Sequence, residues 1–488
     1  LHSLRRRQRQ MCIRDSHYVN VDDGYFGKRD DNGIMHTHEQ RFSNGMKPIA
    51  DYVHGLGMKA GLYTDAGNST CGSMWDNDAA GVGAGIYGHE PQDAQLYFGD
   101  WGFDFIKIDY CGGDALGLNE KERYTSIRNS IDKVNKDVSI NICRWAFPGT
   151  WAKDAATSWR ISGDINAHWG SLRYVVGKNL YLSAYAGNGH YNDMDMMVIG
   201  FRNDSKVGGQ GLTPTEEEAH FGLWCIMSSP LLIGCNLENM PDSSLELLTN
   251  KELIALNQDP LGLQAYVAQH ENEGYVLVKD IEQKRGNVRA VALYNPSDTI
   301  CSFSVPFSSL EFGGNVKVRD LVKHSDLGNF SGTFEQTLPA HSAMFLRIEG
   351  ETRLEPTLYE AEWAYLPLFN DLGKNPKGII YAHDKEASGK MKVGFLGGQP
   401  ENYAEWREVY SENGGRYDMT IHYLYGKGRQ IELDVNGIIT KIDSLGEDNG
   451  HNQITVPVEL KAGYNTIRMG NSYNWAPDID CFTLTKAL

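Results

Sequence analysis

FDFIKIDYC (residues 103–111) reads as a short strand that buries its middle and ends in ionisable side chains. Side chains alternate across a strand, so Phe105, Lys107 and Asp109 face one way and Ile106 and Ile108 the other. A lysine and an aspartate on one inward face cost free energy unless they pair or do work, and Lys107 beside Asp109 favours the ionised carboxylate, which can attack. A structural ion pair is the other reading of this strand taken alone.

Outward from it the pattern repeats. YVNVDD (18–23), KAGLYTDAG (59–67), VSINICRW (138–145), SWRISGDI (158–165) and HYNDMDMMVIG (190–200) alternate with helix-like stretches such as GMKPIADYVHGLG (45–57) and NEKERYTSIRNSIDKVN (119–135). Strand and helix in alternation predict a parallel sheet. Nearly every strand ends in polar residues, among them Asp22, Asp23, Asp65, Asp109, Cys143, Asp164 and Asp195. In a (β/α)8 TIM barrel the carboxyl ends of the strands form the active-site rim, so a barrel over 17–262 accounts for the placement. A doubly wound sheet is the rival, but it usually carries a Gly-rich loop after its first strand, and none is present. Asp164 is expected at the end of a strand two strands beyond Asp109, across the barrel mouth, where two carboxylates can flank one bond. A helix-capping or loop aspartate is the alternative for Asp164.

Thr213, Pro214 and Glu216 form a helix-start signal before the apolar run from Phe221 to Ile233. From residue 263 the hydrophobic period becomes two, in YVLVKDI, VRAVALYN, CSFSVPF and AMFLRIE, predicting an antiparallel β-sandwich over 263–350. A charged linker is expected at 351–357. EWREVY, RYDMTIHYLY, QIELDVNG and QITVPVEL then predict a second β-sandwich over 358–488. Residues 1–16, LHSLRRRQRQMCIRDS, have arginines but no apolar core and no small-residue cleavage site, and are read as foreign sequence rather than a signal peptide.

Composition narrows the function. A formal net charge of -17 disfavours nucleic acid, whose phosphates need a basic stripe, and fits a neutral substrate. No run of about 18 apolar residues is present, so no membrane insertion is expected. Eight cysteines without CxxC spacing give neither a disulfide framework nor a zinc site, and no cofactor for catalysis is implied. Oligomeric state is not set by any of these features.

YVNVDDGY, GLYTDAG with TCGS, KIDYCGG, WRISGDI, YNDMDMMVIG, SSPLLIG and NQDPLG, in this order over about residues 17–348, resemble the motif series of glycoside hydrolase family 27, the α-galactosidases and α-N-acetylgalactosaminidases. The resemblance implies a retaining α-galactosidase acting on α-galactoside-containing oligo- or polysaccharides. Asp109 would be the nucleophile and Asp164 the acid/base. The substrate-binding set it implies is Asp22, Asp23, Tyr63, Cys71, Lys107, Cys111, Cys143, Trp145, Arg160, Asp195 and Met196. It also implies a Cys71–Cys111 disulfide next to the nucleophile, hence an oxidising, secreted or periplasmic location, two reduced thiols being the alternative. α-N-Acetylgalactosaminidase and β-L-arabinopyranosidase are the neighbouring activities, and a catalytically inactive carbohydrate-binding protein is the reading from another class. The sequence departs from the family's pattern in three places: Gly24 and Tyr25 follow the aspartate pair, Arg144 stands in the wall loop, and the GWNSW-like first strand has no counterpart.

YEAE, GKMKVGFLG, RYDMTIHY and GYNTIRMGNSYNWAPDID resemble carbohydrate-binding modules of families 35 and 6. Glu360 and Glu362, expected on one face of a strand, together with Asp480 would then hold a structural Ca²⁺, a solvated acidic edge being the alternative. Tyr473 and Trp475 lie in a loop where rings can stack on sugars or pack on the rim.

Overall fold

The alternation around Ile106 is realised in the computed structural model, which describes residues 17–201, 211–271, 273–372, 378–443, 445–446 and 448–487. The segment 1–16 lies outside the described residues. The chain divides into two units. The first holds residues up to 164 with 189–195 and 236–240, and the second holds 165–188, 196–235 and 241 onward.

In the first unit the strands are β1 (Tyr18–Asn20), β2 (Phe26–Arg29), β3 (Met35–Thr37), β4 (Lys59–Asp65), β5 (Phe105–Asp109), β6 (Ser139–Ile142), β7 (Ser158–Arg160) and β8 (Tyr191–Asp193). β2 and β3 pair with each other, and the other six form one sheet in the order β1-β4-β5-β6-β7-β8. All five pairings in that sheet are parallel. This is the half-barrel of a TIM-type fold. Ile106 and Ile108 are fully buried in it, as are Ile142 and Leu62 to within 1%. Helix Lys47–Gly55 carries Pro48 in its first turn and turns Ala50 and Val53 inward. Helix Glu120–Asp132 starts where the Asn119 side chain accepts from the Glu122 amide, and Tyr124, Ile127 and Ile131 form its buried stripe.

Observed strands are shorter than the expected ones, and this moves several site residues. β7 stops at Arg160, so Asp164 sits in a loop four residues on and not at a strand end. The last backbone bond to β8 is that of the Ile161 amide to the Asp193 carbonyl at 3.1 Å, and beyond it the Arg160 guanidinium donates to the Ser162 carbonyl at 3.2 Å inside the loop. β8 likewise ends at Asp193 and β1 at Asn20, leaving Asp195, Asp22 and Asp23 in loops.

In the second unit, helix Pro214–Ile226 begins with the expected box, in which Thr213 accepts from the Glu216 amide and Glu216 from the Thr213 amide. A six-stranded antiparallel sheet and a two-stranded ribbon follow, spanning Tyr266 to Arg353. Val278, Val291, Leu293, Val305, Phe334 and Leu346 fill the space between them. The strand Ser342–Arg353 runs through the start of the expected linker, because Thr352 and Arg353 stay paired to Gly313 and Phe312. Beyond it, one sheet of six strands and one of four enclose Trp406, Met419, Ile421, Leu433, Ile467 and Phe482. The strand Leu358–Glu360 pairs antiparallel with Asp478–Lys486, setting Glu360 opposite Cys481.

Candidate active site and cation site

β5 delivers Asp109 to the carboxyl edge of the parallel sheet, where it is 5% exposed. Its Oδ2 lies 4.0 Å from Lys107 Nζ, and the same ammonium lies 3.2 Å from Asp22 Oδ2 and 5.4 Å from the centre of the Tyr63 ring. Asp109 Oδ1 is buried and has no hydrogen-bond partner among the described residues. Burial raises the Asp109 carboxyl above its usual range, opposed first by Lys107 and then by Cys143 and Tyr63. Burial pulls the Lys107 ammonium down, but Asp22 and Asp109 outweigh it and leave the group raised. The Tyr63 hydroxyl is pushed up by burial and by Asp109, so it stays protonated beside that carboxylate.

β7 delivers Arg160, which is 3% exposed. Its Nη2 pairs with Asp164 Oδ1 and with Asp195 Oδ2, each at 2.9 Å, and its Nη1 approaches Cys143 Sγ at 3.7 Å. One guanidinium therefore aims two carboxylates. The Asp164 side chain remains 73% exposed, whereas that of Asp195 is 7% exposed. Burial pulls the Arg160 guanidinium down, yet Cys143, Asp195 and Asp193 outweigh it.

The remaining expected residues divide by what they touch. Asp23 accepts from the Gly72 amide at 2.8 Å and the Gly24 amide at 2.7 Å, tying the loop after β1 to the helix Cys71–Trp75. Cys71 and Cys111 are joined as a disulfide. Cys143 is a buried free thiol next to Asp109, its pKa raised by burial and by that carboxylate. Trp145 follows it with φ of 58°. Arg144 is drawn off by Glu120 at 2.9 Å and Asp114 at 3.2 Å, so the wall loop presents Trp145 without a free guanidinium. Met196 belongs to the second unit.

Two supporting residues were not in the expected site. Asp65, fully buried and in register with Asp109 on the neighbouring strand, accepts from the amides of Gly67 at 2.6 Å and Gly112 at 3.0 Å. Burial pushes its carboxyl up to about 7. A Cβ on Gly67 would lie 2.0 Å from the Gly112 carbonyl carbon, so this close approach requires glycine. Its position at the end of a strand in GLYTDAG was the available signal. Asp193 accepts from the Asp195 amide at 2.8 Å and from Asn141 at 2.7 Å, fixing the turn that carries Asp195. The carboxylate of Asp65 lies near Cys71 and Cys111, but their sulfurs are spent on each other and are no metal ligands.

Where the strand Leu358–Glu360 pairs with the final strand Asp478–Lys486, Glu360, Glu362 and Asp480 are all buried. The strand ends at Glu360, and Glu362 lies in a single 3₁₀ turn, so the two do not share a strand face as expected. They are still brought together, since the space above Gly389 is bounded by both carboxyl groups. Glu360 Oε1 accepts from Ser388 Oγ at 2.6 Å and Asp480 Oδ1 from the Ser388 amide at 2.9 Å. Glu360 Oε2 and both Glu362 oxygens are buried without a partner among the described residues. Burial pushes Glu360 up to about 7 and Asp480 up to about 6. Three orphaned carboxylate oxygens of this kind fit a hard cation.

Comparison with known proteins places the chain in one family. The family model described as alpha galactosidase A matches residues 11–259, beginning inside the segment read above as foreign, and that of the alpha galactosidase C-terminal beta sandwich domain matches 274–348. Alpha-galactosidase A of Cellvibrio japonicus is 35% identical over 355 residues, which is 68% of this chain and 82% of that protein. Alpha-galactosidase 3 of Arabidopsis thaliana is 37% identical over 330 residues, covering 66% of this chain and 71% of its own. The crystal structure of α-galactosidase I from Mortierella vinacea matches with a TM-score of 0.62 at 25% identity, over 71% of this chain and 91% of that one. With a buried aspartate at the end of β5, a guanidinium holding two more, and these matches across both regions, the chain belongs to the α-galactosidases of glycoside hydrolase family 27.

Proposed function

We propose that this α-galactosidase removes terminal α-linked galactose from oligo- or polysaccharides by double displacement with retention. Asp109 Oδ1 attacks the anomeric carbon while Asp164 gives its proton to the glycosidic oxygen. The aglycone leaves as an alcohol and a β-galactosyl ester remains on Asp109. Asp164, now a carboxylate, takes a proton from water. The hydroxyl adds to the anomeric carbon, the ester bond breaks, and α-galactose leaves with both carboxyl groups restored. The observation that carries this reading is the contrast between the two aspartates. Asp109 is buried beside Lys107 with Oδ1 free to react, and Asp164 is exposed to water and aimed by Arg160.

Asp22, Lys107, Tyr63, Arg160 and Asp195 supply the charged and aromatic wall for the sugar hydroxyls, and Cys143 and Trp145 supply the loop beside it. Asp23 supports this wall through its backbone contacts, while resemblance to the family is the support for Met196. A site that hydrogen-bonds a C6 hydroxyl loses about 1 to 3 kcal/mol when that group is absent. Hydrolysis of p-nitrophenyl α-galactoside should therefore exceed that of the β-L-arabinopyranoside and of the 2-acetamido sugar by about tenfold or more in kcat/KM. Proton NMR of the same reaction should show α-galactose as the first product. Equal rates on either competitor would refute the sugar assignment, and β-galactose appearing first would refute retention.

The last sandwich we assign to carbohydrate binding, supported by the exposed rings of Tyr473 and Trp475, and to Ca²⁺ binding by Glu360, Glu362 and Asp480, supported by their orphaned oxygens. The disulfide supports a secreted or periplasmic enzyme. Among the described residues no helix is long and apolar enough to cross a membrane.

A further inference from the structure

The second unit contains a cavity of about 580 Å³ that none of these roles uses. Helix Trp169–Asn179 contributes Arg173 to its wall, the first antiparallel sheet contributes His270, Tyr275 and Tyr294, and the segment 383–390 contributes Lys385 and Lys390. The rings form a row. His270 stacks on Tyr275 at 4.1 Å and 20°, and Tyr275 on Tyr294 at 6.1 Å and 27°. Tyr294 is 1% exposed, and its Oη and the Nδ1 of His270 are buried without a partner among the described residues. Buried polar atoms are almost always paired, so two orphans on one cavity wall mark positions for a ligand's hydroxyls. Among the described lining residues Arg173, Lys385 and Lys390 are cationic and Glu273 is acidic, in a chain whose net charge is -17.

We propose that this cavity is a second carbohydrate site that takes a sugar bearing a carboxylate, a hexuronate unit. The half-buried end of the row, His270 and Tyr275, offers an apolar wall to the C–H side of a pyranose. The cations hold the carboxylate through charge-assisted hydrogen bonds, which neutral galactose cannot use. The volume lies within the range of about 300 to 1,000 Å³ typical of small-ligand pockets and accommodates one or two sugar rings. A small inorganic anion would engage the cations but leave the ring row and the two orphaned atoms unused. The site is independent of Asp109 and its chemistry.

Isothermal titration of the full chain with D-glucuronate, D-galacturonate, D-galactose and inorganic phosphate, at low ionic strength, tests this. At least one uronate should bind about tenfold or more tightly than galactose. The double variant Lys385→Gln, Lys390→Gln should weaken that binding about tenfold, and Tyr294→Phe, which removes only the orphaned hydroxyl, about threefold or more. Both should keep the wild-type melting temperature and the wild-type rate on p-nitrophenyl α-galactoside. Phosphate binding as tight as the uronates would make this an inorganic anion site and overturn the proposal. Absence of uronate binding, or binding unchanged in the double variant, would overturn it as well.

Discussion

Replacing Lys107 by Met removes a charge but keeps most of the side chain's volume, and its effect follows from the geometry of the site. The ammonium lies 4.0 Å from Asp109 Oδ2 and 3.2 Å from Asp22 Oδ2. At an effective dielectric of about 20, an ion pair at 4 Å is worth about 4 kcal/mol, or about three pH units of titration. Burial already raises the Asp109 carboxyl, and Lys107 is the largest effect opposing that rise. Without the lysine, Asp22 repels Asp109 with no cation between them, so Asp109 holds its proton to higher pH. The nucleophile must be ionised, hence the acid limb of kcat/KM should move upward by about one to three pH units. The profile is measured with p-nitrophenyl α-galactoside from pH 3 to 8. Loss of a sugar contact raises KM at every pH and does not move the limb, which separates the two roles of Lys107. Lys107→Arg, which keeps the charge, should hold the limb near its wild-type position. A limb in Lys107→Met that stays put or moves to lower pH would refute the electrostatic role.

Three further outcomes are expected. Asp164→Ala should form the galactosyl ester rapidly from substrates with good leaving groups and then stall, detectable as a mass increase on the peptide containing Asp109; steady turnover without that adduct would exclude the role. Chelation with EDTA should lower the melting temperature of the last sandwich, because a cation bound only by the folded state stabilises it by mass action, and Ca²⁺ should restore it; Glu362→Gln should abolish the response. Lys279 is buried, donates to Ser228 Oγ at 2.8 Å and the Leu256 carbonyl at 3.1 Å, and is pulled by burial down to about 7. The unfolded chain then binds more protons between about pH 7 and 10.5, so this group makes stability rise with pH across that window. Denaturation of Lys279→Met and wild type at pH 7 and pH 10 should show their stability difference shift in the wild type's favour as pH rises.

How far the sequence could be read depended on the range of the interactions involved. The alternation of Lys107 and Asp109 against Ile106 and Ile108 is local, and the strand follows it residue by residue. The Thr213 box is local too. Strand ends are less legible: the run SWRISGDI is apolar and polar in alternation up to Asp164, yet the pairing to β8 stops after the Ile161 amide, where Arg160 bonds to the loop at Ser162. For Asp65 the sequence shows a strand end and not a support, because one of its partners, the Gly112 amide, is 47 residues away. Glu362 meets Glu360 by a route that periodicity does not show. Strand periodicity put it beside Glu360, whereas a 3₁₀ turn and the loop at Gly389 bring the two carboxyls together.

What the sequence could not display is how the backbone is held to present the reactive groups. Trp145 and Asp195 both have left-handed backbone conformations, with φ of 58° and 76°. For a residue with a Cβ that conformation costs about 1 to 2 kcal/mol, and glycine would remove the cost. Glycine is absent at both positions, so each side chain contributes something that outweighs backbone ease. For Asp195 the compensation is visible in its amide bond to Asp193 and its ion pair with Arg160, the same guanidinium that holds Asp164. The turn strain, the buried ion pair and the exposed acid/base are thus parts of one linked arrangement. A substitution at Asp193 or Asn141, neither of which has been assigned to the sugar wall, acts on Asp164 through that chain of bonds.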